Sequence, residues 1–241
     1  YFSNNFWIYF WIFISLFTVL INLFYTSLIL PIFNKLKPLE DGSLKDKIYN
    51  YAKSVKFPLS NIFVIDGSKR SSKANAFFSG LGKSKKIVLY DTLIKNYSDE
   101  ELVSVLAHEV GHYKKKHIVS NLILSILFTG FMLFVLSKFL FNSEISFALG
   151  GDVSFRHFEL FAFSILYSPI SFILGIFMNI KSRINEYEAD NYAVKTFDKS
   201  HLISALKNLS KDNLVNLTPD PVYVFVNYSH PTLHQRIKAM T

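Results

Sequence analysis

The first long apolar stretch of the chain is FWIYFWIFISLFTVLINLFYTSLIL, which runs from Phe6 to Leu30. Its 25 residues carry no charge, and a helix needs only about 20 apolar residues to cross a bilayer. A secretory signal peptide would have a basic start and a small-residue cleavage site, and this stretch has neither. We therefore interpret it as a transmembrane helix.

Two later stretches have the same character. IVSNLILSILFTGFMLFVLSKFLF covers Ile118 to Phe141, and FELFAFSILYSPISFILGIFMNI covers Phe158 to Ile180. Lys138 lies near the end of the second stretch, where a long side chain can reach the membrane surface, and Pro169 is expected to kink the third. The sequence predicts three membrane spans, and the alternative for the last two is a pair of buried core helices.

Composition agrees with a membrane protein. Of the 241 residues, 50% are hydrophobic and only 18% are charged, which is too apolar for a disordered chain and poor in charge for a soluble surface. The chain has no cysteine. Any metal ligands must therefore be His, Asp or Glu.

The basic residues that flank the spans predict the orientation. They follow the first span, precede the second and follow the third: Lys35, Lys37, Lys114, Lys115, Lys116, Lys181 and Arg183. Because Lys and Arg favour the cytoplasmic side, we expect a span in 1–30, a cytoplasmic part in 31–117, two spans in 118–180 and a cytoplasmic helical part in 181–241. The net charge of +8 then needs no nucleic-acid partner.

The first cytoplasmic part is expected to contain a small β-sheet. Ser43 to Lys56 reads as a helix, Asn61 to Asp66 and Lys86 to Asp91 read as strands, and Asn75 to Phe78 is a candidate edge strand. Ser98 and the glutamate three residues later form a capping box, which starts a helix that could run on into the second span.

That helix contains the motif His108-Glu109-Val110-Gly111-His112. Residues i and i+4 share one helix face, so both histidines can bind one zinc ion while Glu109 lies beside the metal. His117, at the membrane boundary, is expected to be rotated away from His112. The alternative is a solvated helix face with no metal.

Zinc in a catalytic site needs a third protein ligand, and SRINEYEADNYA supplies candidates. Glu186 and Asp190 are also spaced i and i+4, so one of them can ligate zinc while the other hydrogen-bonds a ligating histidine. Glu188 is expected to point elsewhere. The alternative is a solvated acidic helix face.

This arrangement predicts metal-assisted peptide hydrolysis. Zinc lowers the pKa of a water molecule, and Glu109 accepts its proton and later passes it to the leaving amine. His230, in YSHPTLHQRI, is a candidate donor to the oxyanion.

Several blocks together resemble one family, the CAAX prenyl endoproteases, which are membrane zinc metalloproteases. The blocks occur in the family's order: LPIFNKLKPL, DGSKRSSKANAFFSGLGKSKKIVLYDTLI, LAHEVGHYKKKH, SRINEYEADNYA, KNLSKDNL and YSHPTLHQRI. The resemblance implies a mainly α, multi-spanning membrane protein with a zincin-like HExxH domain and a small β-sheet.

The resemblance also implies roles for individual residues. His108, His112 and Glu186 would ligate one zinc ion per chain, with Glu109 as the catalytic base. Asp190 would support the site, and Asn75 and His230 would contact the substrate and the oxyanion. Substrates would be membrane proteins or lipidated, CAAX-type peptides.

Members of the family have seven spans, so this chain is expected to be the C-terminal, zinc-bearing portion. Its compact form and lack of cysteine resemble bacterial members. The protein is expected to lie in the inner membrane if it is bacterial, or in the endoplasmic reticulum if it is eukaryotic, with its site facing the cytoplasm. The sequence leaves the oligomeric state open.

Two rival functions remain. One is a heat-shock-type quality-control metalloprotease, and the other is a membrane scaffold with structural zinc, although such a scaffold would not need Glu109.

Overall fold

The computed structural model describes residues 5–69, 76–79 and 85–241. Within these ranges three helices are long and apolar enough to cross a membrane: α1 (Phe6–Phe24), α6 (His117–Phe139) and α8 (Arg156–Thr196). The three predicted spans are confirmed as helices. Helix α8 continues without interruption through Pro169 and well beyond the third apolar stretch.

Helices α1 and α6 pack through aromatic side chains. The Trp11 indole N–H donates to the Ile126 carbonyl at 2.8 Å, and Trp7 meets Phe134 edge to face at 5.3 Å between ring centroids. Gly130 leaves the space that the Trp11 ring occupies, since a Cβ there would lie 2.8 Å from the indole nitrogen. A short helix, α7 (Ser143–Ala148), lies between α6 and α8 in the chain. Helix α1 continues through a π-helical turn (Tyr25–Ile29) into α2 (Leu30–Phe33).

A four-stranded mixed sheet follows α2. Its strands are β1 (Leu36–Pro38), β2 (Leu59–Ile65), β3 (Ala76–Ser79) and β4 (Lys85–Tyr90), in the order β1-β2-β4-β3. The pair β2 and β4 is parallel, and the other two pairs are antiparallel. The two predicted strands and the predicted edge strand are confirmed, whereas β1 was not predicted.

Most of the remaining helices form an apolar core with the sheet, and a second, smaller cluster joins Leu30 of α2 to Ile65 and Val88 of the sheet. The helices are α3 (Ser43–Ser54), α4 (Asp91–Asn96), α5 (Asp99–Lys114), α9 (Lys199–Asp212), α10 (Pro221–Asn227) and α11 (Leu233–Met240). Their buried side chains, among them Ile48, Leu93, Val103, Val110 and Leu202, pack with Ile87 and Leu89 of β4. The mainly α fold with a small sheet is therefore confirmed.

Helix α5 does not continue into the second span, although the sequence had allowed it to. Helix α5 ends at Lys114, and α6 begins at His117. Between them Lys116 adopts a left-handed conformation with φ of 59°, which cannot continue a right-handed helix. Helix α5 therefore ends before the second apolar stretch begins.

The chain divides into two compact units, each described separately. One comprises the described residues up to Asn22 together with Ile118–Met178 and contains the α1–α6 contacts. The other comprises Leu23–His117 and Asn179–Thr241 and contains the sheet and its helices. We call the second one the sheet unit.

Candidate active site

Helix α5 of the sheet unit carries the HExxH motif, and its start is fixed by the predicted capping box. The Ser98 side chain accepts from the Glu101 N–H, and the Glu101 carboxylate accepts from the Ser98 N–H. The Glu101 carboxylate also accepts hydrogen bonds from Ser204 at 2.6 Å and Asn208 at 2.9 Å. These bonds tie α5 to α9 and fix the register at which the motif faces its surroundings.

Gly111 allows α8 to approach α5 closely at the motif. A Cβ at this position would lie 2.9 Å from both the Cα and the carbonyl oxygen of Ala189. Because these are backbone atoms that no rotamer change can move, only glycine fits this contact. The close approach brings Glu186, one helical turn earlier on α8, next to the two motif histidines.

Three potential ligand groups converge there. His108 Nε2 and His112 Nε2 are 3.1 Å apart, and Glu186 oxygens lie 3.2 Å from His112 Nε2 and 3.5 Å from His108 Nε2. Tetrahedral zinc with bonds of about 2.0–2.1 Å places its ligand atoms about 3.3 Å apart. Among the described residues, His108, His112 and Glu186 form a group suited to hold a metal ion.

Glu186 adds a second sign of a cation site. Its Oε2 atom is buried and has no hydrogen-bond partner within the described part of the chain. Its nearest donors, His108 Nε2 and Arg236 Nη1, are 3.5 Å away, which is too long for a good hydrogen bond, and a bound cation would satisfy the oxygen. The residues present therefore fit a zinc ion.

His108 is held from its other ring nitrogen by a buried ion pair. Its Nδ1 lies 2.8 Å from Asp190 Oδ1. Arg236 of α11 binds both oxygens of the same carboxylate, at 2.6 Å and 2.8 Å. Asp190 thus fixes the ring orientation of His108, and Arg236 fixes Asp190.

His112 is also held from its other ring nitrogen, by residues that were not predicted to contact it. Its Nδ1 lies 2.9 Å from His117 Nδ1, and His117 Nε2 lies 2.9 Å from the Glu188 carboxylate. The expectation that His117 is rotated away from His112 is wrong, because the break at Lys116 returns the chain toward the motif. Glu188 points away from the ligand group, as expected, and reaches His117.

The carboxylates make this part of the sheet unit favourable for positive charge. Burial alone lowers the pKa of His108, but hydrogen bonds with Asp190 and Glu186 outweigh it and raise that pKa to about 9. Burial raises the pKa of Glu109, although the charge of the neighbouring histidines partly offsets it. The same field that stabilises a protonated histidine would attract a divalent cation.

A cavity of about 610 Å³ opens onto the group. His108, Glu109, His112 and Glu186 line one part of it. Its other walls combine apolar residues, among them Ala76, Leu202, Leu206, Leu209 and Val215, with polar residues, among them Ser210, Asn213, Tyr228, His230 and Arg236. The volume lies within the usual range for small-ligand sites.

The remaining predicted site residues have different outcomes. His230 is largely exposed, borders the cavity, and places Nε2 3.5 Å from Glu186 Oε1. Asn75 lies outside the described residues. Arg236 was not singled out in the sequence, although it lies within the YSHPTLHQRI block.

The fold and the site together define a class of protein: a membrane protein with the HExxH helix and acidic third ligand candidate of a metallopeptidase. The chain belongs to peptidase family M48, whose family model matches residues 38–241.

Similar proteins that carry curated names agree with this family assignment. The chain is 40% identical to CAAX prenyl protease 1 of Saccharomyces cerevisiae over 99% of its own length and 56% of the yeast protein. It is 39% identical to the Arabidopsis thaliana homolog (97% and 55%) and 34% to the human homolog (99% and 58%). The crystal structure of Ste24p from S. mikatae superposes with a TM-score of 0.89 at 39% identity, covering 98% of this chain and 58% of that one.

These matches confirm the resemblance to the CAAX prenyl endoproteases. The chain spans about half the length of the curated relatives it matches. The yeast, plant and human relatives are all eukaryotic proteins, and the resemblance to bacterial members stays a prediction.

Proposed function

We propose that this chain carries the catalytic site of a zinc-dependent integral membrane endopeptidase. The observation that carries the proposal is the ligand spacing: His108 Nε2 lies 3.1 Å from His112 Nε2, and each of these nitrogens lies 3.2–3.5 Å from a Glu186 oxygen. Glu109 lines the same cavity but lies outside the ligand group. A purely structural zinc site would close its fourth position and would not need that glutamate.

In this proposal His108, His112 and Glu186 hold one zinc ion per chain. When bound, zinc lowers the pKa of a water molecule and polarises the scissile carbonyl. Glu109 accepts the proton from the attacking water and donates it to the leaving amine as the peptide bond breaks. The His230 imidazole, at the edge of the cavity, donates a hydrogen bond to the developing oxyanion.

Four further side chains act by positioning. Asp190 accepts from His108 Nδ1–H and keeps Nε2 free for the metal, while Arg236 neutralises the buried charge of Asp190. His117 accepts from His112 Nδ1–H and donates from Nε2 to Glu188. Each ligating histidine is then locked in one tautomer and one orientation.

The proposed substrates are prenylated CAAX-type peptides or other membrane-associated proteins. The apolar cavity wall, which includes Leu202, Leu206 and Leu209, suits an apolar substrate, and the named relatives are CAAX prenyl proteases. Strand β3 is at one edge of the described sheet, where an extended peptide can add as a further strand, and Asn75, which precedes it in the sequence, is proposed to contact the peptide. The lysine bias around the spans favours a site that faces the cytoplasm, in the endoplasmic reticulum of a eukaryote or the inner membrane of a bacterium.

The test uses the detergent-solubilised full-length protein beside its Glu109→Gln variant. Zinc content and cleavage of a quenched peptide panel, with and without a farnesyl group, are measured for both. Glu100→Gln is the matched control, because Glu100 is a glutamate in the first turn of the same helix, far from the motif.

We expect equal zinc in all three proteins and loss of hydrolysis only in Glu109→Gln. Faster cleavage of farnesylated peptides would support the CAAX-type substrate, and equal cleavage of unmodified membrane-protein peptides would favour a quality-control protease. Zinc without cleavage by the unsubstituted protein would contradict the catalytic proposal. Absence of zinc would contradict the ligand assignment.

A further inference from the structure

The segment between α9 and α11 exposes large apolar side chains on the sheet unit. Leu214 is 91% exposed, Leu217 60%, Val222 69% and Phe225 52%. Val222 and Phe225 belong to α10, in which Val224 is only 4% exposed. Helix α10 therefore uses Val224 to pack on the sheet unit and presents other apolar residues outward. We call Leu214, Leu217, Val222 and Phe225 the apolar patch. Val222 and Phe225 are three residues apart on α10 and so share one face of that helix, and apolar residues grouped in this way mark a contact surface more often than isolated ones do.

Helix α10 is attached to α8 by hydrogen bonds at its C-terminal end. Asn179 Nδ2 donates to the Val226 carbonyl at 2.8 Å, and the Arg183 guanidinium donates to the carbonyls of Val224 and Tyr228. The Val224 carbonyl also accepts from the Tyr228 N–H at the C-cap of α10, while the other two carbonyls lie at the helix end, where α8 supplies the donors. The two α8 side chains therefore determine where α10 lies along α8.

This attachment is at the end of the apolar stretch of α8. The chain has no charged residue from Leu160 to Ile180, and Lys181 follows. Asn179 is thus inside the charge-free stretch, and Arg183 lies only about 5 Å further along the helix axis than Ile180, at 1.5 Å per residue. Each headgroup layer is about 5–8 Å thick, so both attachment points fall at the level of one membrane surface.

We propose that the apolar patch inserts into the phospholipid bilayer that α8 crosses, with α10 lying in the boundary between headgroups and acyl chains. The seven residues of α10 span only about 10 Å, so a helix anchored at this level stays close to the membrane surface. Tyr223 and Tyr228, whose rings touch, are side chains that favour the interface. Arg183 and Lys181 supply positive charge for lipid phosphates.

The absence of cysteine from the 241 residues allows a direct test by single spin labels. Val222→Cys, Phe225→Cys and, as an independent position, Leu217→Cys are introduced one at a time into the full-length protein, with any cysteine outside these residues replaced by serine. Each labelled protein is reconstituted into vesicles of phosphatidylcholine and phosphatidylglycerol. Collision rates of the label with oxygen and with a water-soluble nickel chelate then give its depth.

Two positions calibrate the measurement. Phe172→Cys lies on an exposed residue of the α8 apolar stretch, and Lys53→Cys lies on the exposed face of α3. We expect the patch labels to lie about 5–10 Å below the lipid phosphates, the depth of interfacial helices, with high oxygen and low nickel collision rates like those at residue 172. Nickel access equal to that at residue 53 would place the patch in water and overturn the proposal. Low access to both reagents would mean that protein covers the patch, which also overturns it.

Discussion

Replacing Gly111 by alanine tests whether the close contact between α5 and α8 sets the ligand spacing. Alanine is intrinsically favoured over glycine in a helix by about 1 kcal/mol, so propensity alone predicts a gain. The added methyl, however, would lie 2.9 Å from two backbone atoms of Ala189. Carbon atoms pack best at about 3.5–4.0 Å, so the two helices must separate by about 0.5–1 Å.

Both the stability and the metal site respond to that separation. Overpacking costs about 1–3 kcal/mol, which matches or exceeds the propensity gain, so the free energy of unfolding should fall by about 0–2 kcal/mol. Metal sites tolerate ligand displacements of only about 0.2 Å. Because Glu186 is on the displaced helix and His112 is on the other, we expect zinc affinity to fall about 10–100-fold, the range seen when support of a ligand is lost.

The measurement is a competition titration of zinc against a fluorescent chelator, with thermal unfolding of the same samples. Gly175→Ala is the matched control, since a Cβ at that position on α8 meets nothing within 4 Å. It should leave zinc affinity unchanged and stability equal or slightly higher. If Gly111→Ala binds zinc as tightly as Gly175→Ala does, the contact with Ala189 does not set the ligand spacing, and the reasoning fails.

Three further predictions concern the same site. Asp190→Asn removes the carboxylate that binds Arg236 through two hydrogen bonds and leaves Glu186, 3.5 Å away, as its charged partner. The free energy of unfolding should fall by up to about 3–5 kcal/mol and zinc affinity about 10–100-fold; a zinc titration with unchanged affinity would refute the role of Asp190. His117→Phe removes the acceptor for His112 and should weaken zinc binding about tenfold, whereas Glu188→Gln keeps an acceptor and should weaken it less. Equal losses in the same titration would show that the charge of Glu188, rather than its hydrogen bond, supports His117. Removal of zinc by a chelator should lower the midpoint of thermal unfolding, because a ligand that binds only the folded state stabilises it by about 2.7 kcal/mol at a hundredfold excess over Kd. An unchanged midpoint after chelation, or no recovery when zinc is added back, would contradict a zinc site in the folded protein.

The spans and most of the sheet could be predicted because their signals are local. Twenty or more apolar residues define a span without reference to the rest of the chain, and β2 and β4 are rich in Ile and Val, which favour strands. Strand β1 was missed since three residues, Leu36–Pro38, are too few to show a period of two. It exists because β2 offers it an edge to pair with.

The candidate site could be predicted only where its residues share one helix. His108 and His112 follow from the i, i+4 spacing, and the pair Glu186 and Asp190 follows from the same rule, although spacing could not say which of them faces the metal. The contact of His117 with His112 depends on a left-handed residue, Lys116, and lysine gives no sequence signal for that conformation. The expected direction of the chain was therefore wrong at this position.

Arg236 shows a different limit. Its partner Asp190 is 46 residues away and lies on another helix, and in the sequence of α11 an arginine reads as part of a solvated face. Only the packing of α11 buries it beside a carboxylate. Long-range ion pairs of this kind carry no periodic pattern, so they are found from the fold or from a resemblance that covers both segments.

Helix α8 links the apolar stretch and the candidate site through one continuous element. Its charge-free stretch ends at Ile180, and Glu186 follows six residues later in the same uninterrupted helix, a rise of about 9 Å. A helix cannot shorten or lengthen that distance without breaking hydrogen bonds, so the third ligand candidate stays at a fixed height beyond the apolar stretch. A chain that is itself anchored in the membrane brings its scissile bond to this height more readily than a free soluble peptide does, and the proposed preference for lipidated or membrane-inserted substrates rests on that difference.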